Sequence, residues 1–292
     1  MRQPAGAFRA YAELARVSNL PTCVSNSLVG CALGAGGGLF SWSSIPPVAV
    51  AICLLYVAGM ALNDIFDHSH DRIERPERPI PSGRISLPEA WRFAAASALL
   101  GLGLLANTSA QALNFGLLLV AFIVLYDLLH KRHPSSVVLM GACRGTIYLV
   151  GMAAVGWPGN LRAGLWLAGI LALYTVLITV VARSENARTL DARRWLALAL
   201  PPPVFASALV VEPQRSEAPI VFGLLLLLWL GWAARAVLKT PADPKAAIQR
   251  WISGMCLVDA FFLSLLQQPE AALLALACFA LTVYSHRRIA GT

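Results

Sequence analysis

The chain has 292 residues, of which 58% are hydrophobic and only 13% charged, with a formal net charge of +8. Mean hydropathy is +0.66. A soluble domain carries about a quarter charged residues, so this composition excludes an ordinary water-soluble fold.

Apolar runs of about 20 residues, long enough for a hydrocarbon core of roughly 30 Å, recur from end to end. They are too long and too uniform for barrel strands and predict an all-α polytopic helix bundle. The first 18 residues carry Arg2, Arg9 and Arg16 without the apolar core of a signal peptide, and suit an amphipathic helix on the membrane surface. Spans are then expected over residues 20–39, 45–65, 91–106, 112–129, 137–155, 165–181, 195–211, 220–238, 251–266 and 271–284. Nine to ten spans would surround a central cavity open to the cytoplasm, as one domain over residues 1–292. The small residues of Gly30-Cys31-Ala32-Leu33-Gly34 fit close helix–helix contact. Cys23, Cys31, Cys53, Cys143, Cys256 and Cys278 all lie in apolar segments without CxxC spacing and read as small packing residues.

Loop charges set the orientation. Connections after even-numbered spans carry Arg72, Arg75, Arg78 and Arg84, then Lys131 and Arg132, then Arg183, Arg188, Arg193 and Arg194, then Lys239, Lys245 and Arg250. The other side holds little beyond Arg162 and Arg215. Lys and Arg in short loops stay inside, which puts this end in the cytoplasm of a bacterial inner membrane. The positive charge is therefore topological, and nucleic acid is excluded as a partner.

The chemistry gathers where the second span ends, at Asn63-Asp64-Ile65-Phe66-Asp67-His68-Ser69-His70-Asp71. Asn63, Asp67 and Asp71 are spaced four apart and stack on one face of a helix. Carboxylates so placed repel each other unless a cation sits among them. Mg²⁺ takes oxygen ligands and is held by a few carboxylates together with phosphate oxygens of a substrate. The bland alternative is a solvated acidic helix end balanced by the arginines that follow. Asp64 points about 100° away from the stripe.

Asn63-Asp64-x-x-Asp67-x-x-x-Asp71-Arg72, continued by Arg75-Pro76-Glu77-Arg78-Pro79-Ile80-Pro81-Ser82-Gly83-Arg84-Ile85, closely resembles the first motif of the UbiA superfamily of intramembrane prenyltransferases. Arg16-Val17-Ser18-Asn19-Leu20 resembles the family's approach to its first helix. Tyr126 with Lys131-Arg132 and the Gly-rich stretch to Gly151 resembles its fourth-to-fifth helix connection. The resemblance implies a prenyl diphosphate bound through Mg²⁺, with the prenyl group passed to an aromatic or other lipophilic acceptor within the bilayer. It implies Asn63, Asp67 and Asp71 as metal ligands, Asp67, Asp71 and Lys131 in catalysis, and Arg78, Arg84 and Tyr126 on the substrate.

Two charges lie inside spans, Arg144 and Asp259, and an ionisable group at that depth is a functional candidate. Arg144 joins the catalytic set as a group that reaches the diphosphate or an anionic acceptor; packing against an acid is its alternative. Asp259 divides evenly between function and a structural hydrogen bond. Tyr148 and Tyr174 could face a carbocation or simply pack.

The sequence departs from the family where a second Asp-rich motif should end the sixth span. It reads Thr179-Val180-Val181-Ala182-Arg183-Ser184-Glu185 there, a replacement that also resembles a divergent, EboC-like branch. Glu185 is then the surviving metal ligand, or Arg183 neutralises the diphosphate in its stead, or the chain binds prenyl lipid with altered catalysis. The rival functions are a non-catalytic lipid-binding membrane protein and a transporter.

Overall fold

The computed structural model describes residues 4–36, 38, 41–183, 194–211, 216–239 and 241–288. Every regular element among them is helical: α1 (Pro4–Leu14), α2 (Leu20–Gly34), α3 (Ile45–Phe66), α4 (His68–Glu74), α5 (Leu87–Thr108), α6 (Ala110–Leu129), α7 (Val137–Val155), α8 (Leu161–Ala182), α9 (Pro201–Phe205), α10 (Ala218–Leu238), α11 (Pro244–Leu265) and α12 (Pro269–His286), with short 3₁₀ turns between some of them. By length and composition, α3, α5, α6, α7, α8, α10, α11 and α12 can cross a membrane. The chain is an integral membrane helix bundle.

Helix starts follow local chemistry. Ser86 and Glu89 form a capping box at α5. Ser109, Asn160 and Asp243 accept the backbone N–H three residues on and cap α6, α8 and α11.

Two expected spans take another form. Residues 20–39 yield the 15-residue α2, whose polar Thr22, Ser25, Asn26 and Ser27 are all buried. This helix packs against α3, α7, α8, α11 and α12, so protein rather than lipid surrounds it, and polar side chains can be satisfied there. Residues 195–211 form no continuous helix. A 3₁₀ turn over Arg194–Ala199, the five-residue α9 and another 3₁₀ turn over Ala206–Leu209 share the segment. Pro201, Pro202 and Pro203 supply no N–H to a helical ladder, which is why an apolar stretch of spanning length breaks up.

Close packing relies on glycine at two crossings. A Cβ on Gly30 would lie 2.7 Å from the Tyr148 carbonyl oxygen and 2.9 Å from the Gly151 Cα, so α2 and α7 touch backbone to backbone. Gly141 and Gly145 bring α7 equally close to the carbonyls of Ala172 and Ala168 on α8. α1 buries Ala10 and Leu14 in a small cluster with Ala61, Ile65, Ile80 and Ile85, which sets it against the acidic end of α3.

The bundle has two distinct ends. At one, α3 runs into α4, α6 ends, α7 begins and α8 ends. At the other, Asn160 N–H donates to the Leu33 carbonyl at 3.1 Å and the Gln268 side chain donates to the Gly38 carbonyl at 2.9 Å. All six cysteines are free thiols.

Candidate active site

α3 stops at Phe66, and Asp67 joins it to α4, yet the register of the acidic stripe continues through the break. The Asp67 N–H donates to the Asn63 carbonyl and the Asp71 N–H to the Asp67 carbonyl, both at 2.9 Å. Asn63, Asp67 and Asp71 therefore stay in helical i, i+4 sequence, with Asp67 and Asp71 buried.

Cations meet these acids from three directions. Arg78, from the turn after α4, places Nη1 2.6 Å from Asp71 Oδ2 and 3.4 Å from Asp64 Oδ1. Arg16 reaches the same Asp64 oxygen with Nη2 at 3.0 Å. Its backbone is left-handed, at φ 45°, and costs roughly 1–2 kcal/mol for a residue with a Cβ. From the end of α6, Lys131 Nζ lies 2.7 Å and His130 Nε2 3.2 Å from Asp67 Oδ1.

The His130 ring is held on both sides, since its Nδ1 lies 3.1 Å from the Asp127 carbonyl oxygen. Both nitrogens face acceptors, a geometry that favours the doubly protonated ring. The Asp67 carboxylate beside the ring accordingly raises the His130 pKa above its ordinary value. For Asp67, burial opposes ionisation, but the cations of His130 and Lys131 beside it outweigh burial and leave the carboxyl below its usual range.

α6 also supplies Asp127, 6% exposed. Asn63 donates its side-chain amide to Asp127 Oδ1 at 3.0 Å. One turn earlier in the face, Tyr126 stacks on His130 with ring centroids 5.1 Å apart and planes 18° from parallel. The Arg183 guanidinium sits beside the Tyr126 hydroxyl and donates to the Pro134 carbonyl and the Ser136 hydroxyl, each at 2.9 Å. Among the described residues Arg183 thus reaches toward Asp67 through Tyr126 and His130.

Arg144 belongs to a deeper network. Its Nη1 donates to Asn26 Oδ1 at 3.0 Å, and its guanidinium lies 5.6 Å from the Tyr56 ring centre. Asn26 in turn donates to Asp259 Oδ2 at 2.8 Å, which Ser25 also reaches at 2.5 Å, while Tyr148 donates its hydroxyl to Asp259 Oδ1. Asp259 is fully buried and has three donors, so it anchors α2, α7 and α11 to one another. Tyr174 is spent on the Trp251 carbonyl at 2.8 Å.

The residues expected from the sequence therefore separate. Asn63, Asp67, Asp71, Arg78 and Lys131 converge at the α3–α4 break, with Tyr126 and Arg183 one layer behind His130. Arg84 does not join them. It pairs with Glu13 at 2.5 Å and donates to the Glu77 carbonyl at 2.7 Å, tying α1 to the loop. Arg144, on α7, lies apart and meets Asn26 of α2. Glu185 falls outside the described residues. Among the described residues no three His, Cys, Asp or Glu side chains converge as a metal cage.

Asp127 and His130 carry no expectation from the sequence, and Arg16 enters there only as part of the approach to the first helix. Asp127 carries a weaker signal, an acid in the last turn of the apolar segment 112–129. His130 and Arg16 look like ordinary loop residues until their helices are docked.

Comparison with known proteins gives one consistent answer. The model of the UbiA prenyltransferase family matches residues 23–253. The digeranylgeranylglyceryl phosphate synthase of Methanoculleus marisnigri is 30% identical over 181 residues, 61% of this chain; the match spans 62% of that relative's length, under two thirds. The enzyme of the same name from Natronomonas pharaonis is 30% identical over 258 residues, covering 84% of this chain and 87% of the relative. A UbiA homologue from Archaeoglobus fulgidus, solved bound to GPP and Mg²⁺, superposes with TM-score 0.59 at 15% identity, over 88% of this chain and 99% of that one. A solved structure of digeranylgeranylglyceryl phosphate synthase gives TM-score 0.59 at 21% identity, over 90% and 98%. With the family model spanning most of its length and its helices following that fold, the chain belongs to the UbiA prenyltransferase family.

Proposed function

We propose that this protein transfers a prenyl group from a prenyl diphosphate to a lipophilic acceptor, at the end of the bundle where α3 meets α4. The observation that carries this reading is the stripe Asn63, Asp67 and Asp71, kept in register through the helix break and faced by Arg78, His130 and Lys131. Acids and bases alternate there around a site that can release both toward a ligand.

The donor set fits Mg²⁺. Its side chains offer oxygen, and the Oδ2 of Asp127 is a buried carboxylate oxygen with no hydrogen-bond partner among the described residues, the kind of orphan a hard cation would satisfy. Asn63, Asp67 and Asp71 would hold the ion, with Glu185 as a further ligand from the segment after α8. When bound, Mg²⁺ supplies positive charge to the diphosphate oxygens as the leaving group departs.

The chain's own groups do the rest. Arg78 and Lys131 exchange their carboxylate partners for phosphate oxygens, with Arg78 able to grip two at once. The allylic C–O bond breaks heterolytically: its electron pair leaves with the diphosphate oxygen and the carbon becomes a carbocation. An electron pair of the acceptor closes the new bond, and the acceptor's proton passes to the released diphosphate. Tyr126, stacked on His130, lines the diphosphate side, and Arg183 neutralises charge behind it. Arg84 contributes by holding α1 over the loop, and Arg144 by meeting an anionic part of the acceptor from below.

Relatives named digeranylgeranylglyceryl phosphate synthase support a lipid acceptor beside the aromatic one. The basic loops at the α3–α4 end support a cytoplasmic-facing site in a plasma membrane, bacterial by our reading. Incubation of the purified protein in lipid with Mg²⁺, prenyl diphosphates of graded length and aromatic or lipid acceptors tests the proposal. Pyrophosphate release with a product of the summed prenyl and acceptor mass is expected; no product with any pair rejects transfer.

A further inference from the structure

The end of α8 carries no acid: its last residues are Thr179-Val180-Val181-Ala182, followed by Arg183. We propose that Asp127, on α6, supplies the divalent-cation site with the carboxylate that α8 lacks, acting with Asn63 and Asp67. This inference rests on the metal–diphosphate reading above.

Three observations point to Asp127. It is 6% exposed, yet only one of its oxygens is satisfied. Oδ1 accepts the Asn63 amide at 3.0 Å, whereas Oδ2 has no hydrogen-bond partner among the described residues. A buried carboxylate oxygen left bare is costly, and a cation is the ligand that would remove the cost. A purely structural Asp, like Asp259 with its three donors, is saturated.

The neighbours are arranged to match. Asn63 spends its nitrogen on Asp127, which turns the amide oxygen into its remaining polar atom. Lys131 and His130 lie within ion-pair distance of Asp67 Oδ1, yet that oxygen too is buried without a hydrogen-bond partner among the described residues. His130 spans the two acids, 3.2 Å from the Asp67 carboxylate and 3.1 Å from the Asp127 carbonyl. Its ring fixes the end of α6 against the α3–α4 break and holds the Asp127 backbone within one imidazole of Asp67. Three oxygens from two helices, with a substrate's phosphate oxygens and water completing the shell, make a site of the open kind that Mg²⁺ uses.

The test is Mn²⁺ binding to the full chain in lipid nanodiscs, read by electron paramagnetic resonance with and without inorganic pyrophosphate. Wild type should bind. Asp127→Asn should weaken Mn²⁺ by at least about tenfold, the lower end of what even outer-shell losses cost a metal site, and Asp67→Asn likewise. Wild-type Mn²⁺ affinity in Asp127→Asn, with binding lost in Asp67→Asn, overturns the role of Asp127 and leaves the metal–diphosphate reading standing. No Mn²⁺ binding by wild type, or none lost in Asp67→Asn, overturns both. Asp127→Cys decides independently, including where Asp127→Asn does not fold. A ligating thiolate should shift preference from Mn²⁺ to Cd²⁺ and add a thiolate-to-cadmium charge-transfer band absent from wild type, and the lack of both rejects ligation.

Discussion

The Lys131 ammonium lies 2.7 Å from Oδ1 of Asp67, the oxygen that His130 also approaches at 3.2 Å. Two bases from the end of α6 thus converge on one carboxylate oxygen at the break between α3 and α4. In the metal-free protein this trio is both a lock between helices and a pH-sensitive element.

The sign of that pH dependence follows from the shifts. His130 is raised, so its stabilisation is complete below its unfolded value of about 6.5 and is lost as pH rises through the folded value. Asp67 is lowered, so its share is present above about 3.9 and is lost as pH falls through the folded value. The interaction is therefore strongest between roughly pH 4 and 6.5. With chelator present, wild type should lose more thermal stability than His130→Gln between pH 5.5 and 8.5. Parallel melting curves across that range would refute the coupling.

Removing a carboxylate should act on ligand binding more than on folding. Asp67→Asn and Asp71→Asn are each expected to reduce Mg²⁺-dependent binding of a non-hydrolysable prenyl diphosphate analogue by more than about 100-fold, since outer-shell losses alone cost ~10–100-fold. Titration calorimetry reads this directly, and wild-type affinity in both variants would sink the site. Glu185→Gln should weaken the same binding, and an unchanged metal dependence would remove Glu185 from the ligand set.

Arg78 and Arg84 are six residues apart but should behave differently. Arg78 faces Asp71 and Asp64, so Arg78→Ala should abolish analogue binding. Arg84 faces Glu13, so Arg84→Ala should spare most binding and loosen α1, read as faster proteolysis before residue 20. Equal loss of binding in the two would place Arg84 on the ligand after all.

Asp259→Ala strips the acceptor from Ser25, Asn26 and Tyr148 in the buried centre of the bundle. An unsatisfied buried donor costs about 1–3 kcal/mol, although single hydrogen bonds in membrane bundles average nearer 0.6 kcal/mol. The expected loss is about 2–5 kcal/mol, measurable by unfolding in SDS–lipid mixtures. A loss below about 1 kcal/mol would show that the network does not hold α2, α7 and α11 together.

Gly30→Ala should cost about 1–3 kcal/mol, the penalty of overpacking, because the new Cβ would meet the Tyr148 carbonyl at 2.7 Å. Gly103→Ala, where nothing lies within 4 Å, is the control and should be neutral or slightly stabilising. Similar stabilities for the two variants in the same unfolding assay would contradict the backbone contact between α2 and α7.

The sequence by itself determined whatever depends on near neighbours along the chain. Spanning helices follow from runs of apolar residues, and α7 begins and ends where hydropathy puts it. The acidic stripe follows from i, i+4 spacing, which the backbone bonds from Asn63 to Asp67 to Asp71 preserve even across the α3–α4 break. Hydropathy failed at residues 195–211 because it weighs side-chain transfer and is blind to the N–H groups that Pro201–Pro203 withhold. Only the tertiary structure decided which side chains meet across helices. Arg84 turning to Glu13, Arg16 to Asp64, Asn63 to Asp127 and His130 to Asp67 depend on how each helix is rotated and how close its small residues let it come. Those are properties of the packed bundle, set by contacts such as Gly30 on Gly151, and no local pattern encodes them. The stripe could be read from its spacing; the carboxylate that faces it from α6 could be seen only once the helices were side by side.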